Sequence, residues 1–194
     1  TVRSTDPKVF LDGQKALVDD AVKNKVQRFS PSDYGSNLSK FSREEVSAFV
    51  VAKVKLELDD YLKTLPIKVL HFWSGFLLEP NFQLMAKGVN YWGNADTKFD
   101  FTTYEDTAKF VAAVIVDKNR SGHMVYVANE LSYNELVGIY NKVRGTRVTT
   151  KRPGSIEDVR KQHEEKKQAG DAFGAFIAGM QAVTSHPKNK FDYN

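Results

Sequence analysis

"VQRFSPSDYG" (residues 26–35) is the stretch that decides the fold. Val26 and Phe29 read as a short buried strand, and Ser30-Pro31-Ser32-Asp33-Tyr34-Gly35 stops it abruptly. A strand ending in small polar residues, a proline and a glycine presents a loop at the carboxyl edge of an open α/β sheet, where ligands of such sheets sit. Upstream, "FLDGQKALVDDAVKNK" (10–25) places Leu11, Leu17, Val18, Ala21 and Val22 on one helical face. Downstream, "SREEVSAFVVAKVKLELDDYLKT" (42–64) reads as a long helix, with Ser42 and Glu45 spaced as a capping box. "PIKVLHFW" (66–73) is a second strand, punctuated by Ser74-Gly75. Helix, strand, helix, strand is the rhythm of a parallel sheet with crossover helices. The two strands are therefore predicted to be parallel neighbours joined by a right-handed connection.

The pattern continues to the end of the chain. "KFDFT" (98–102), "HMVYVA" (123–128) and "RVTTKR" (147–152) read as strands. "TYEDTAKFVAAVIVD" (103–117) reads as a helix with Phe110, Val111, Val114 and Ile115 inward, and Thr102, Thr103 and Asp106 suit its N-terminus. "SYNELVGIYNKVRG" (132–145) is a helix opened by a Ser132–Glu135 capping box and ended by Gly145. Two helical pieces follow from Ser155 to about Thr184 and part near Gly170. The spaced glycines of "GDAFGAFIAG" (170–179) read as close helix packing.

Composition removes several function classes. The 194 residues are 41% hydrophobic and 27% charged, enough for one globular domain with its own core. The net charge is +4, but the 28 basic residues are scattered among 24 acidic ones, so no basic stripe for nucleic acid stands out. The densest run, "RKQHEEKKQ" (160–168), mixes both signs and reads as a solvated helix face. The absence of cysteine excludes disulfides and fits a reducing compartment, here the cytoplasm. No apolar run has the length of a membrane span, and the four histidines lack metal-ligand spacing. Neither a G-x-S-x-G elbow nor a G-x-G-x-x-G phosphate turn after a strand is present.

Four segments together resemble a known family. "GQKALVDDAVKNKVQRFSPSDYG" (13–35), "KLELDDYLKTLPIKVLHFWSGFLLE" (55–79), "YWGNADTKFDFTTYEDTAKFVAAVIVD" (91–117) and "VANELSYNELVGIYNKVRGTRVTTKRPGSIEDV" (127–159) are similar to successive units of NmrA-like and isoflavone-reductase-like proteins. These are atypical short-chain dehydrogenases/reductases. The resemblance implies an α/β fold: the C-terminal part of a Rossmann-like parallel sheet with a small α+β substrate domain. It implies residues 10–75 as the back part of the nucleotide-binding sheet and 76–194 as mostly the substrate-side region. The polar opening "TVRSTDPK" reads as a chain entered in the middle, after the family's glycine-rich turn.

The resemblance also implies a site. NADP or NAD is the expected cofactor, with Phe29, Ser30, Pro31, Gly75 and Phe76 in contact with it. The expected catalytic residue is a helix lysine, Lys55, with Lys53 as second choice; a lysine on a charged helix can equally be a snorkelling surface residue. Gly75 and Phe76 can as well be an ordinary strand exit. Phe82, Tyr91 and Trp92 could line a substrate pocket or pack in the core. The Tyr-x-x-x-Lys pair of ordinary short-chain dehydrogenases is absent. The expected function is a reductase acting on a small organic substrate; a dinucleotide-sensing transcriptional regulator, or an inactive fragment or scaffold, is the alternative. The chain alone is expected to bind NAD(P) weakly or not at all, and to self-associate or take a protein partner. No nucleic acid or membrane is expected as a direct partner.

Overall fold

Asp6 opens the first helix, its carboxylate accepting from the backbone N–H of Lys8 and Val9, with Pro7 in the first turn where no N–H is needed. This computed structural model describes residues 6–85 and 88–191; the polar opening Thr1–Thr5 lies outside them. Helix α1 (Pro7–Lys23) ends at Lys25, which takes φ +57, and the Val26 N–H closes back on the Ala21 carbonyl at 2.9 Å. Val26 thus belongs to the helix end and is 48% exposed, not a buried strand residue, and β1 is only Arg28–Phe29.

Ser42 and Glu45 do exchange the two bonds of a capping box, at 2.7 and 3.1 Å, but they close a turn and not the long helix expected at 42–64. Extended backbone at Phe49 interrupts it, and α2 is Val50–Leu62. The break lets Phe41 and Val46 bury themselves with Ala52, Leu56 and Val183. Glu45 also accepts from Lys188 at 2.6 Å, which ties this turn to the C-terminal segment. That ion pair, then the Ser42 N–H, holds the Glu45 carboxyl down at about 2. A depressed carboxylate stabilises the fold above its unfolded pKa, about 4.3, and the contribution is lost as pH falls through the folded value. Glu45→Gln should therefore lower the urea midpoint at neutral pH, and the gap to wild type should close as pH falls from about 4.3 toward 2. A gap independent of pH would remove the charge from the explanation.

The main sheet runs β1-β2-β6, all parallel, with β2 at Lys68–Trp73 and β6 at Gly122–Val125. Phe29 pairs with Val69, and His71 with His123. As the sequence predicts, β1 and β2 are parallel neighbours with α2 between them in the chain. The third strand comes from well beyond residue 75, so the sheet draws on what was expected as the mostly substrate-side region. A second sheet sets β5 (Lys98–Thr102) between β3 (Phe76–Leu77), parallel, and β7 (Asn129–Ser132), antiparallel. Strands β4 (Val89–Trp92) and β8 (Thr150–Gly154) pair in parallel.

The helices are α3 (Leu78–Met85), α4 (Tyr104–Val116), α5 (Tyr133–Arg144), α6 (Ile156–Gln168) and α7 (Ala172–Thr184). The Ser132–Glu135 capping box and the left-handed Gly145 bound α5 as predicted. Thr103 caps α4, while Thr102 stays in the strand, fully buried. Leu17 of α1 and Ile115 of α4, expected inward, are about half exposed: α1 spends Val18 on Leu58 and Leu62 of α2, and Leu17 lies off that contact. Arg28 donates to the carbonyls of Ile115 and Asp117, a cation at the C-terminal end of α4.

Candidate functional site

Alternation along β2 puts Val69, His71 and Trp73 on one face and Leu70 and Phe72 on the other. Val69 meets Leu58 and Leu62, so α2 covers the first face. On α2, Lys55, Asp59 and Lys63 recur every four residues and form one stripe. The stripe meets the histidine. His71 Nδ1 lies 2.5 Å from Asp33 Oδ2, and its Nε2 lies 3.5 Å from Asp59 Oδ1. His123 stacks on Trp73 at 4.2 Å and lies 4.8 Å from the His71 ring. Burial, then the neighbouring His71, pushes the His123 pKa below its usual value.

Lys55 donates from Nζ to the Tyr34 carbonyl at 3.0 Å. Burial of the ammonium pushes its pKa below the usual lysine range, and the Asp33 carboxylate opposes the shift. Lys53 is different: it is exposed and pairs only loosely with Glu57, at 3.8 Å. The structure thus turns Lys55 inward toward the loop after β1 and leaves Lys53 at the surface.

Three clefts meet here. The first, about 320 Å³, has Lys55 and Tyr34 on one side and Gly75, Phe76, Leu77 and Pro80 on the other. The second, about 250 Å³, shares Lys55, with Asp33, Asp59, His71 and His123 around it. The third, about 280 Å³, holds Phe29, Ser30 and Pro31 beside Gln14. Tyr34 lines both the first and the third cleft, its ring against Phe72 at 6.2 Å. The six residues expected to converge on one cleft are therefore divided: Lys55, Gly75 and Phe76 meet, and Phe29, Ser30 and Pro31 lie on the far side of Tyr34.

Phe82, Tyr91 and Trp92 do not line the cleft around Lys55. Phe82 packs on Tyr140, Tyr91 stacks on Tyr133, and Trp92 is buried among Val159, Ala178 and Ala182 with its indole N–H on Gln181. Gly75 has a structural reason to be small. It takes φ +66, its N–H meets the Gly35 carbonyl, and an added Cβ would lie 2.3 Å from the Asp100 carbonyl oxygen. The backbone that approaches it is that of β5. Asp33, Tyr34, Asp59, His71 and His123 were not singled out from sequence. The signals were present: the four-residue spacing Lys55, Asp59, Lys63 and the alternation Val69, His71, Trp73. Among the described residues no group of three or more His, Asp or Glu could hold a metal ion, and no helix is long and apolar enough to cross a membrane.

A parallel β1-β2-β6 sheet, with side chains gathered where its strands end, defines an α/β protein of Rossmann-like architecture. The model of the NmrA-like family matches residues 4–171, and the chain belongs to that family. Comparison with curated proteins by sequence gives no match. Solved structures do resemble it. With a structure from the pinoresinol-lariciresinol and phenylcoumaran benzylic ether reductases the TM-score is 0.80 at 13% identity, over 100% of this chain and 65% of that one. With the leucoanthocyanidin reductase–NADPH complex from Vitis vinifera it is 0.76 at 17% identity, over 98% and 63%. With a nucleoside-diphosphate-sugar epimerase from Staphylococcus aureus it is 0.73 at 17% identity, over 100% and 68%. At these identities the likeness is one of fold, and the chain spans roughly two thirds of each of these proteins.

Proposed function

We propose that the chain carries the proton-handling side of an NAD(P)-dependent reductase site for a small organic substrate, with Lys55 as its catalytic residue. The observation that carries this is the placement of the Lys55 ammonium: enclosed, held on the Tyr34 carbonyl, and open to two clefts. An amine whose pKa is lowered by burial exchanges a proton more readily near neutrality than a surface lysine. Gly75 and Phe76 would hold the nicotinamide beside Lys55, and Phe29, Ser30 and Pro31, in the cleft across Tyr34, would hold an adjoining part of the cofactor. The fit is local. Ser30 lines the third cleft, and its Oγ is buried without a hydrogen-bond partner. Each cleft is no larger than the low end of small-molecule sites, about 300–1,000 Å³. That is room for a ring and its ribose, not for a whole dinucleotide. The dinucleotide, when bound, supplies the hydride. Lys55 supplies or removes the proton at the substrate oxygen, and Phe76, Leu77 and Pro80 give an apolar wall suited to an aromatic substrate. Family membership, and the NADPH printed with the leucoanthocyanidin reductase structure, support the cofactor assignment.

The test is acetylation of the intact protein by acetic anhydride with and without excess NADPH, read lysine by lysine by mass spectrometry. NADPH should slow modification of Lys55 and leave Lys53 unchanged. In turnover of NADPH with a benzoquinone probe, Lys55→Met should lose about 10²–10⁴-fold, the range of general acid–base catalysis, and Lys53→Met should lose nothing. Equal labelling of Lys55 with and without NADPH would end this reading.

A further inference from the structure

One carboxylate oxygen at this site has no partner. Asp33 Oδ1 is buried and takes no hydrogen bond, while Oδ2 of the same group is held 2.5 Å from His71 Nδ1. A buried acceptor left unsatisfied is destabilising, the more so when charged. Asp33 lines the cleft that Lys55 also lines. The remaining titratable groups facing the pair are Tyr34 beside Asp33, Asp59 and Lys63 on α2, and His123 on β6. They are ordered in space. His71 Nε2 is 3.5 Å from Asp59 Oδ1, Asp59 Oδ2 is 2.6 Å from Lys63 Nζ, and the Lys63 side chain is 65% exposed. Titratable atoms therefore run from the cleft beside Lys55 out to solvent.

We propose that Asp33 and His71 are positioning residues that pass protons between Lys55 and solvent, with the Asp59 edge as the outer station. The proposal rests on Lys55 being the proton-handling group. When the Lys55 ammonium gives a proton to a substrate oxygen, a neutral amine remains. A proton moves from His71 Nδ1 to Asp33 and from Asp33, by way of a water in the cleft that both residues line, to the Lys55 amine, and the imidazole regains one from solvent on its Asp59 side. Each proton lost at one atom is gained at the next, and no electron changes owner.

The test needs neither cofactor nor substrate. Reductive methylation with ¹³C-formaldehyde labels the lysines of the intact chain, and Lys55→Arg identifies the Lys55 signal by its loss. In wild type that signal should show two inflections with pH, its own titration and a second where His71 titrates. His71→Gln, which keeps an N–H for Asp33 but does not titrate, should remove the second inflection and leave the first. Asp33→Asn should remove the second and lower the first by about one pH unit, a tenfold change in protonation ratio. A dyad that merely braces the loop would leave one inflection in wild type, and this would overturn the proposal even if both variants failed to fold. NADPH is absent throughout. Two inflections with no NADPH protection of Lys55 would sink the reductase reading alone, and protection with a single inflection would sink the relay alone.

Discussion

Gly75→Ala is expected to cost about 3–5 kcal/mol, the sum of left-handed backbone strain in a residue with a Cβ and of overpacking against a fixed neighbour. Gly75 takes φ +66 in the two-residue step from β2 to β3. The added methyl would sit 2.3 Å from the Asp100 oxygen and 2.7 Å from its carbonyl carbon. Those atoms are backbone in the middle strand of the second sheet, paired on both sides, so they have nowhere to go. Gly145 isolates the strain. It has φ +62 at the end of α5, and nothing lies within 4 Å of its Cβ position. Gly145→Ala should therefore cost only about 1–2 kcal/mol. For a chain of this size each kcal/mol lowers Tm by about 2–4 °C, so the two variants should be clearly separated by thermal unfolding. Equal losses would mean that the Asp100 contact carries no weight.

The same glycine shows what sequence can and cannot reveal. Its place after an apolar strand is visible in the letters "FWSGF", and so is the chance of a ligand beside it. That its neighbour is the β5 carbonyl is a long-range fact. Local patterns read well where the cause is local. The Ser132–Glu135 box, Gly145 and the break at Gly170 all came out as spacing and turn chemistry require. Ser42 and Glu45 show the limit. Their bonds form as the motif demands, yet burial of Phe41 and Val46 against Val183, far along the chain, sets where the helix begins. The site follows the same rule. Lys55 stood out by its resemblance to a family pattern. Asp33 and His71 become a pair only when β2 sets its Val69–His71–Trp73 face under α2, and no spacing between residues 33 and 71 announces this. Phe82 and Trp92 lie away from the Lys55 cleft for a related reason: an aromatic side chain is equally at home in a core, and here Phe82 packs against one core cluster and Trp92 is buried in another.

Gly179→Ala is the second large effect, expected at about 2–4 kcal/mol of lost stability, overpacking against backbone reduced by the roughly 1 kcal/mol by which alanine favours a helix interior. An added Cβ would fall 1.8 Å from the Ala48 carbonyl oxygen and 3.0 Å from His163 Nδ1. Neither neighbour yields easily. Ala48 lies between the buried Val46 and Phe49, and His163 holds the Ala175 carbonyl at 2.7 Å. Helix α7 must therefore shift away from the 42–49 segment. Gly174, one turn earlier, is the control: the atoms nearest its Cβ position belong to the side chains of Asp171 and Lys166, so no backbone need move, and Gly174→Ala should cost about 1 kcal/mol, the typical worth of the Asp171 cap it disturbs. The consequence reaches the cleft. Val183 and Thr184, at the far end of α7, line it together with Phe49, Ala52 and Lys55. A displaced α7 opens the wall beside the lysine, so acetylation of Lys55 should quicken in Gly179→Ala under conditions where the protein is still folded, and Lys53 should react as before. Destabilisation with an unchanged Lys55 rate would show that α7 only braces the fold. A faster rate would show that the glycine spacing in "GDAFGAFIAG" also keeps the site closed.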